Sequence, residues 1–429
     1  MNDFHTRRQF LTQTARIGAG LAACTAFPAI QAAEGTHQNI VLGFMGVNGR
    51  GGDLIRGFGA LPDVSIRYVC DVDDRAIAKA LPLIPSQAAS DPKGVKDFRR
   101  ILDDPGVDAL VIAAPDHWHA PAAILACAAG KHVYVEKPAS HNPREGELTL
   151  AAARKYRRVV QVGTQRRSMP GMIEAMEKLH AGEIGRVFWA RGWYNNTRAS
   201  IGHGHAAPVP DWLDYKLWQG PAPERDYRDN LIHYNWHWFW HWGTGELGNN
   251  GIHALDLCRW GLDVVSPTQV TSGGGKYRYD DDQETPDSHT VTFDFPGKSI
   301  TWEGRSWHHR GFEGAMFGAA FYGEKGSMVL DGANYRVYDM QEKERFAGHG
   351  SGSDTPHLQN FLDCIRTGRR PNADIEEGHR STLLCHLGNI AWRTGHALHL
   401  HPQTLRLVKD AEAQALWTRA YRPGWEPRG

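Results

Sequence analysis

Between residues 40 and 163, short apolar runs alternate with stretches whose apolar residues recur at helical spacing. The runs at 40–45, 64–71, 109–114, 132–135 and 159–163 predict strands. The one at 109–114 is apolar throughout, the mark of a strand buried on both faces of a parallel sheet. Helices are expected from the glycine-rich turn at 46–51 to about 61, over 73–81, over 120–129 and over 145–156, with a variable segment between 81 and 96. Beyond residue 164 the pattern changes. A helix at 169–180 and a strand at 187–193 precede a long polar loop over 195–230, and strand-like segments then follow one another near 268–273, 289–295, 299–305, 319–322, 327–330 and 335–338. Strands in series without intervening helices imply a mainly antiparallel sheet, open on one face for a substrate. The pattern ends in helices at 355–367 and 375–394, the second carrying Leu383, Leu384, Leu387 and Ile390 on one stripe. The expected architecture is α/β plus α+β: a doubly wound parallel sheet over 38–164, a substrate-binding α+β domain over 165–402, and a tail from 403 to 429.

Composition sharpens this picture in three places. A chain of 429 residues exceeds one compact core, consistent with two domains. Its 48 basic and 48 acidic residues balance without a long basic run, which argues against a nucleic-acid partner. The 15 Trp and 13 Tyr, with much of the Trp in one central region, suit stacking on a carbohydrate ring. The first 33 residues read as a targeting segment: Arg7-Arg8 in a twin-arginine export pattern, a weakly apolar run to Phe27, and small residues at Ala32-Ala33. The protein is expected in the periplasm, with the twin-arginine machinery as a partner. The run ending at Cys24 also matches a lipoprotein box, which allows a lipid anchor there. Cys70, Cys127, Cys258, Cys364 and Cys385 are scattered and read as small core residues.

The glycine turn is the strongest chemical signal. Gly46, Asn48, Gly49, Arg50 and Gly51 lie between a strand and a helix, and Asp71 stands at the tip of the next strand, 20 residues after Gly51. Glycines let backbone and pyrophosphate approach, the helix N-terminus supplies positive potential, and the acid accepts ribose hydroxyls. Asn48 replaces the second glycine of the usual fingerprint, and an Asn tolerates the positive φ expected there. Pro115, His117 and His119 follow the 109–114 strand where a nicotinamide ring would lie. Glu136 and Lys137 end the next strand; a lysine there can hydrogen-bond a reacting hydroxyl and help it lose its proton. In the run from Gly243 to Asp256, Asn249 and His253 are four apart and can face one pocket, His253 as general acid/base and Asn249 orienting a hydroxyl; a helix cap with a packed histidine is the alternative. Arg166 can bind substrate oxygens or be a solvated cation, and Tyr194 can line the pocket or pack. His233, His237 and His241 are spaced by four, but alternating Trp236, Trp238, Trp240 and Trp242 suit an extended stretch, so an aromatic wall with sugar-binding histidines, His233 among them, is expected instead of a metal site.

Together, the glycine turn, Glu136-Lys137-Pro138 and the glycine-rich segment leading to His253 resemble the glucose-fructose oxidoreductase, inositol dehydrogenase and rhizopine-catabolism (Gfo/Idh/MocA) family, over about residues 40–401. The resemblance implies a Rossmann domain followed by an open antiparallel sheet that often mediates dimers or tetramers, so a homo-oligomer is expected. It places the family's catalytic lysine on Lys137 and its histidine on His253. The family's aspartate, four residues before that histidine, falls on Asn249, which can neither act as a base nor hold His253 in a charged pair.

Several carboxylates follow Asp71 and would repel a 2′-phosphate, favouring NAD over NADP. An exported enzyme meets no maintained pool of soluble nicotinamide cofactor. The expected activity is therefore a sugar or polyol oxidoreductase with tightly bound NAD regenerated in each cycle. The alternative is a redox-neutral NAD-dependent glycoside hydrolase working by oxidation, elimination, hydration and reduction. A non-catalytic carbohydrate-binding protein is the reading from another class.

Overall fold

The computed structural model describes residues 39–428 apart from 402, 403 and 405. The twin-arginine, cleavage and Cys24 expectations lie outside the described residues. Among those residues, six strands form a parallel sheet in the order β3-β2-β1-β4-β5-β6: β1 (Ile40–Met45), β2 (Val64–Cys70), β3 (Ala89–Val95), β4 (Ala109–Ile112), β5 (His132–Val135) and β6 (Val160–Val162). Helices α1 (Arg50–Gly59), α2 (Asp74–Ala80), α3 (Arg99–Leu102), α4 (Asp116–Ala128) and α5 (Pro143–Lys155) connect them. The order reverses at β1 and β4, and in such sheets ligands bind at the carboxyl ends beside that switch. Strand β4 is buried throughout, as its unbroken apolar run requires.

β3 falls in the segment expected to be variable. It is an edge strand with no fully buried residue and a Pro at position 92, so it carries no hydrophobic alternation to read. Helix α4 begins at Asp116, not at 120, because Pro115 is extended and Asp116 suits the positive end of the helix. Residues 116–119, expected to precede the helix, are therefore its buried first turn.

The second half contains α6 (Pro170–His180), β7 (Val187–Asn195), α7 (Tyr215–Gln219), α8 (Ile252–Leu262), β8 (Gln269–Gly275), β9 (Ser288–Phe295), β10 (Lys298–Arg305), β11 (Phe317–Gly323), β12 (Gly326–Asp331), β13 (Asn334–Tyr338), β14 (Glu344–Gly348), α9 (Thr355–Thr367), α10 (Ile375–Thr394), β15 (Leu398–His399) and α11 (Ala411–Ala415). Among the described residues its nine strands run β14-β13-β12-β11-β7-β10-β9-β8-β15, all neighbours antiparallel except β7 and β10. Val291 and Phe293 of β9 and Ile300 and Trp302 of β10 enter a core shared with Leu255 of α8 and with Leu384, Leu387 and Ile390 of α10. The opposite face exposes Trp189 and Tyr322. No strand residue of the second sheet is among those lining the large cleft, where α8 and the turn before it take part instead; the open face carries a separate hollow lined by Trp189, Arg191 and Tyr322.

Residues after 403, expected to be a tail, fold back on the first half. Trp425 meets Trp118 edge to face at 5.2 Å, and Arg419 pairs at 2.9 Å with Glu145, whose side chain is fully buried. The five described cysteines are buried and unpaired.

Candidate active site

β1 ends in the glycine turn, and the turn is built for close approach. Gly46 has φ +79, and a Cβ there would lie 2.6 Å from the Ala113 backbone; a Cβ on Gly51 would lie 2.0 Å from the Gly46 carbonyl oxygen. Asn48 is exposed and is absent from the residues with positive φ; the left-handed positions are Gly46 and Gly49 (φ +52). The turn therefore does not need the tolerance expected of Asn48. No side chain caps α1, and Gly49 and Arg50 at its start line the cleft, so the positive end of the helix borders the place a pyrophosphate would take. At the tip of β2, Asp71 accepts from the Val47 N–H (2.9 Å) and the Asp73 N–H (3.1 Å). Removal from water raises its pKa against those two bonds. Each carboxylate oxygen keeps a further lone pair for a ribose hydroxyl. These donors, acceptors and gaps fit a dinucleotide.

The cleft encloses about 510 Å³ and runs from this turn to Lys137, Asn249 and His253. Lys137 Nζ donates to the Asn249 carbonyl oxygen at 2.7 Å and to its Oδ1 at 3.2 Å, joining the β5 edge to the turn before α8. That turn, Leu247–Gly251, is a π-helical segment, a form frequent at functional sites. Asn249 Nδ2 and His253 Nδ1 have no partner among the described residues. Removal from water pushes the Lys137 ammonium down, opposed by Glu136 and Asp116. It pushes His253 well below the ordinary imidazole range, helped by Arg166 and Lys137, so the ring is neutral. Burial raises Glu136, but attraction and a 2.9 Å hydrogen bond from Arg50 outweigh it and hold the carboxyl below its usual value. Arg50 also donates to Asp354 at 2.7 Å.

Of the other residues singled out in the sequence, Pro115, His119 and His233 line the cleft, and Gly51, His117, Arg166 and Tyr194 do not. Gly51 acts through the turn. His117 is buried with Nε2 on the Trp218 carbonyl oxygen (2.9 Å) and its ring 5.2 Å from that of Trp218. His119 is fixed with both ring nitrogens against carbonyl oxygens, of Pro138 (2.6 Å) and Ala114 (2.7 Å), so it braces the Lys137 turn. Arg166 lies 4.2 Å over the Phe317 ring, and burial pulls it down to about 10. The Tyr194 hydroxyl accepts from Asn196 at 2.8 Å.

The histidine and tryptophan segment is not extended. Asn235–Trp238 is a tight 3₁₀ turn, and the three histidines point to different partners: His233 to Asp73 (2.7 Å), His237 to the Tyr234 carbonyl (2.6 Å) and His241 to the Pro223 carbonyl (2.8 Å). Among the described residues, no group of three His, Cys, Asp or Glu is placed to hold a metal. Trp218, Tyr234 and Trp236 line the cleft, and Trp218 and Trp236 share one core cluster with Phe239 and Trp242. Two cleft residues carried no readable role. Asp116 is 2% exposed, raised by burial, and accepts from Thr244 Oγ1 at 2.6 Å. Gln165 Oε1 has no partner among the described residues. An acid directly after the β4 run was the available signal for the first; the second had none.

A glycine turn on a helix N-terminus, an acid at the tip of β2 and a lysine at the carboxyl edge define a nicotinamide-dinucleotide oxidoreductase. Residues 40–164 match the NAD-binding Rossmann fold of an oxidoreductase family, and residues 170–427 match the C-terminal alpha/beta domain of that same family. The chain belongs to the Gfo/Idh/MocA oxidoreductase family. It is 31% identical over 209 residues to a glycosyl hydrolase family 109 protein of Saccharopolyspora erythraea, covering 44% of this chain and 45% of that protein. It is 31% identical over 190 residues to levoglucosan dehydrogenase of Pseudarthrobacter phenanthrenivorans, covering 43% and 42%. The match thus spans less than half the length of each relative. The fold resembles aldose-aldose oxidoreductase of Caulobacter crescentus complexed with glycerol, with TM-score 0.66, 19% identity, and 84% of this chain against 100% of that one.

Proposed function

We propose that this protein oxidises a sugar or polyol hydroxyl with NAD that stays bound and is regenerated within each cycle. The observation that carries the reading is Lys137, held by both oxygens of Asn249 in the cleft that also contains the glycine turn and His253. When bound, the nicotinamide supplies the hydride acceptor. With its two N–H groups on Asn249, the amine form of Lys137 that its lowered pKa favours keeps one lone pair, which accepts the proton of the substrate hydroxyl. Asn249 Nδ2 and neutral His253 supply further hydrogen bonds to adjacent hydroxyls. The carboxylates of Asp71 and Asp73 beside the ribose site support NAD over NADP. The twin-arginine pattern supports export to the periplasm, where a closed cycle needs no soluble cofactor.

Similarity to a glycosyl hydrolase family 109 protein supports a second reading, redox-neutral cleavage of a glycoside. There His253, neutral, takes the proton from the carbon beside the oxidised one. Cofactor released by denaturing the purified full chain, before and after incubation with sugars and aryl glycosides, separates the two. Bound NAD near one per chain with reduction discharged only by a second carbonyl compound supports the oxidoreductase. Aglycone release without net NADH supports the hydrolase. Protein that lacks cofactor and turns over only with added NAD refutes internal recycling.

A further inference from the structure

A second cavity, of about 290 Å³, shares no lining residue with the cofactor cleft. It lies between the start of α5, helix α10, the 240–244 segment and the folded-back residues 415–420. No Asp or Glu lines it, and two guanidinium groups do, Arg393 and Arg419. Arg393 makes no salt bridge among the described residues and lies 5.1 Å over the Trp240 ring, with Glu284 the carboxylate acting on it. Arg419 is paired with Glu145, yet its Nη1 is buried without a partner. His141 has both ring nitrogens buried and unpartnered among the described residues. Removal from water holds His141 well below the imidazole range and His386 at about 3, so both rings are neutral; His141 offers one donor and one acceptor, whereas His386 Nε2 is already engaged with the Ser140 hydroxyl at 3.2 Å.

This is a built polar chamber. Buried polar atoms without partners cost free energy unless an occupant satisfies them. The guanidinium forks match a carboxylate. The neutral His141 imidazole, able both to donate and to accept, matches hydroxyls, and the Trp240 indole matches the face of a sugar ring. The volume is at the lower end for ligand pockets, which limits the occupant to about one ring.

We propose that this cavity binds a sugar acid: a single-ring polyol whose carboxylate is held by Arg393 and Arg419, with hydroxyls on His141 and the ring against Trp240. The site is separate from the reacting centre. Its floor is Thr244, whose carbonyl accepts from Asn389 at 2.8 Å and whose hydroxyl bonds Asp116 in the cofactor cleft.

The test is calorimetric titration of the purified full chain with sodium D-glucuronate, with D-glucose and sodium sulfate as parallel probes at matched ionic strength. Saturable binding of glucuronate alone is expected. Arg393→Gln removes charged hydrogen bonds and weakens it about 10- to 100-fold. His141→Phe removes only ring nitrogens that have no protein partner, so it leaves the fold intact, and it weakens binding about 5-fold. NAD titrates both variants as it does the parent, which assigns the loss to the second cavity even where glucuronate also enters the cofactor cleft. Glucuronate affinity unchanged in both variants overturns the proposal, as does glucose or sulfate binding as tightly as glucuronate. Should Arg393→Gln fail to fold, His141→Phe decides alone.

Discussion

Replacing Lys137 with Met keeps the length of the side chain and removes its charge and donors. Two hydrogen bonds to Asn249 disappear, at 2.7 and 3.2 Å. Bonds to a charged group contribute about 1.5–3 kcal/mol each, but the longer one is weak and the ammonium is itself disfavoured by burial, as its lowered pKa records. Glu136 keeps its partner Arg50, and buried Asp116 loses the Lys137 charge but keeps its hydrogen bond from Thr244. The net loss of stability is about 1–3 kcal/mol, a small downward shift in thermal midpoint. The kinetic loss is larger: a positioned proton acceptor is worth about 10²- to 10⁴-fold, or about 3–5 kcal/mol of barrier. The assay is single-turnover reduction of bound NAD by substrate, with NAD affinity measured separately by fluorescence. In the parent, kcat/KM rises with pH as Lys137 loses its proton, with a midpoint below the ordinary lysine value of 10.5. The Met variant lacks that limb. The same depressed pKa means the unfolded chain binds more protons between the lowered value and 10.5, so stability rises with pH across that window in the parent and less in the variant. An unchanged turnover rate and pH profile, with NAD bound normally, refute the assignment.

Asn249→Asp places a carboxylate against Lys137 and raises the lysine's pKa, so the rising limb of the pH profile moves to higher pH; a limb that stays put disconnects Asn249 from Lys137. Gly51→Ala forces a Cβ to within 2.0 Å of the Gly46 carbonyl oxygen, and NAD binding measured by fluorescence falls together with about 1–3 kcal/mol or more of stability in denaturant. Asp71→Asn keeps one acceptor for the backbone but loses the charge on the ribose hydroxyls; NAD affinity falls about 10-fold or more while affinity for NADP holds or improves. Asp256→Ala leaves buried Arg167, which pairs with Asp256 at 2.9 Å, with only its longer 3.5 Å pair to Glu377, and costs about 3 kcal/mol in urea unfolding without altering the cofactor preference.

The first sheet was readable because its strands are short apolar blocks and its turn has steric requirements that few residues meet. Lys137, Asn249 and His253 were readable because they adjoin those blocks and share the glycine-rich context. What escaped the sequence depended on distant partners. His117 and His119 look alike in sequence, yet the first is turned toward Trp218 and the second is fixed between two carbonyl groups, a difference set by chain more than 100 residues away for His117. The Trp alternation at 236–242 has the period of a strand, but no neighbouring strand pairs with it, and the rings pack around a 3₁₀ turn. Strand β3 shows no pattern because an edge exposed on its polar side demands none. The residues after 403 include one helix of only five residues among those described, too short to show a period, and their role rests on single long-range anchors such as Trp425 against Trp118.

Those anchors govern the order in which the molecule is completed. Arg419 neutralises Glu145 across 274 positions of chain, and Glu145 is the buried acid in the first turn of α5 in the nucleotide-binding half. Until residues 417–425 are in place, Glu145 has only the His141 N–H and its helix N-terminus to offset its charge, and Trp118 lacks its edge-to-face contact with Trp425. Nascent chains therefore hold a nearly finished sheet that cannot close its last layer, and contacts of such long sequence separation form late. Closure of the nucleotide-binding half thus depends on residues 417–425, and a truncation between α10 and Arg419 removes the partner of Glu145 and the ring that covers Trp118.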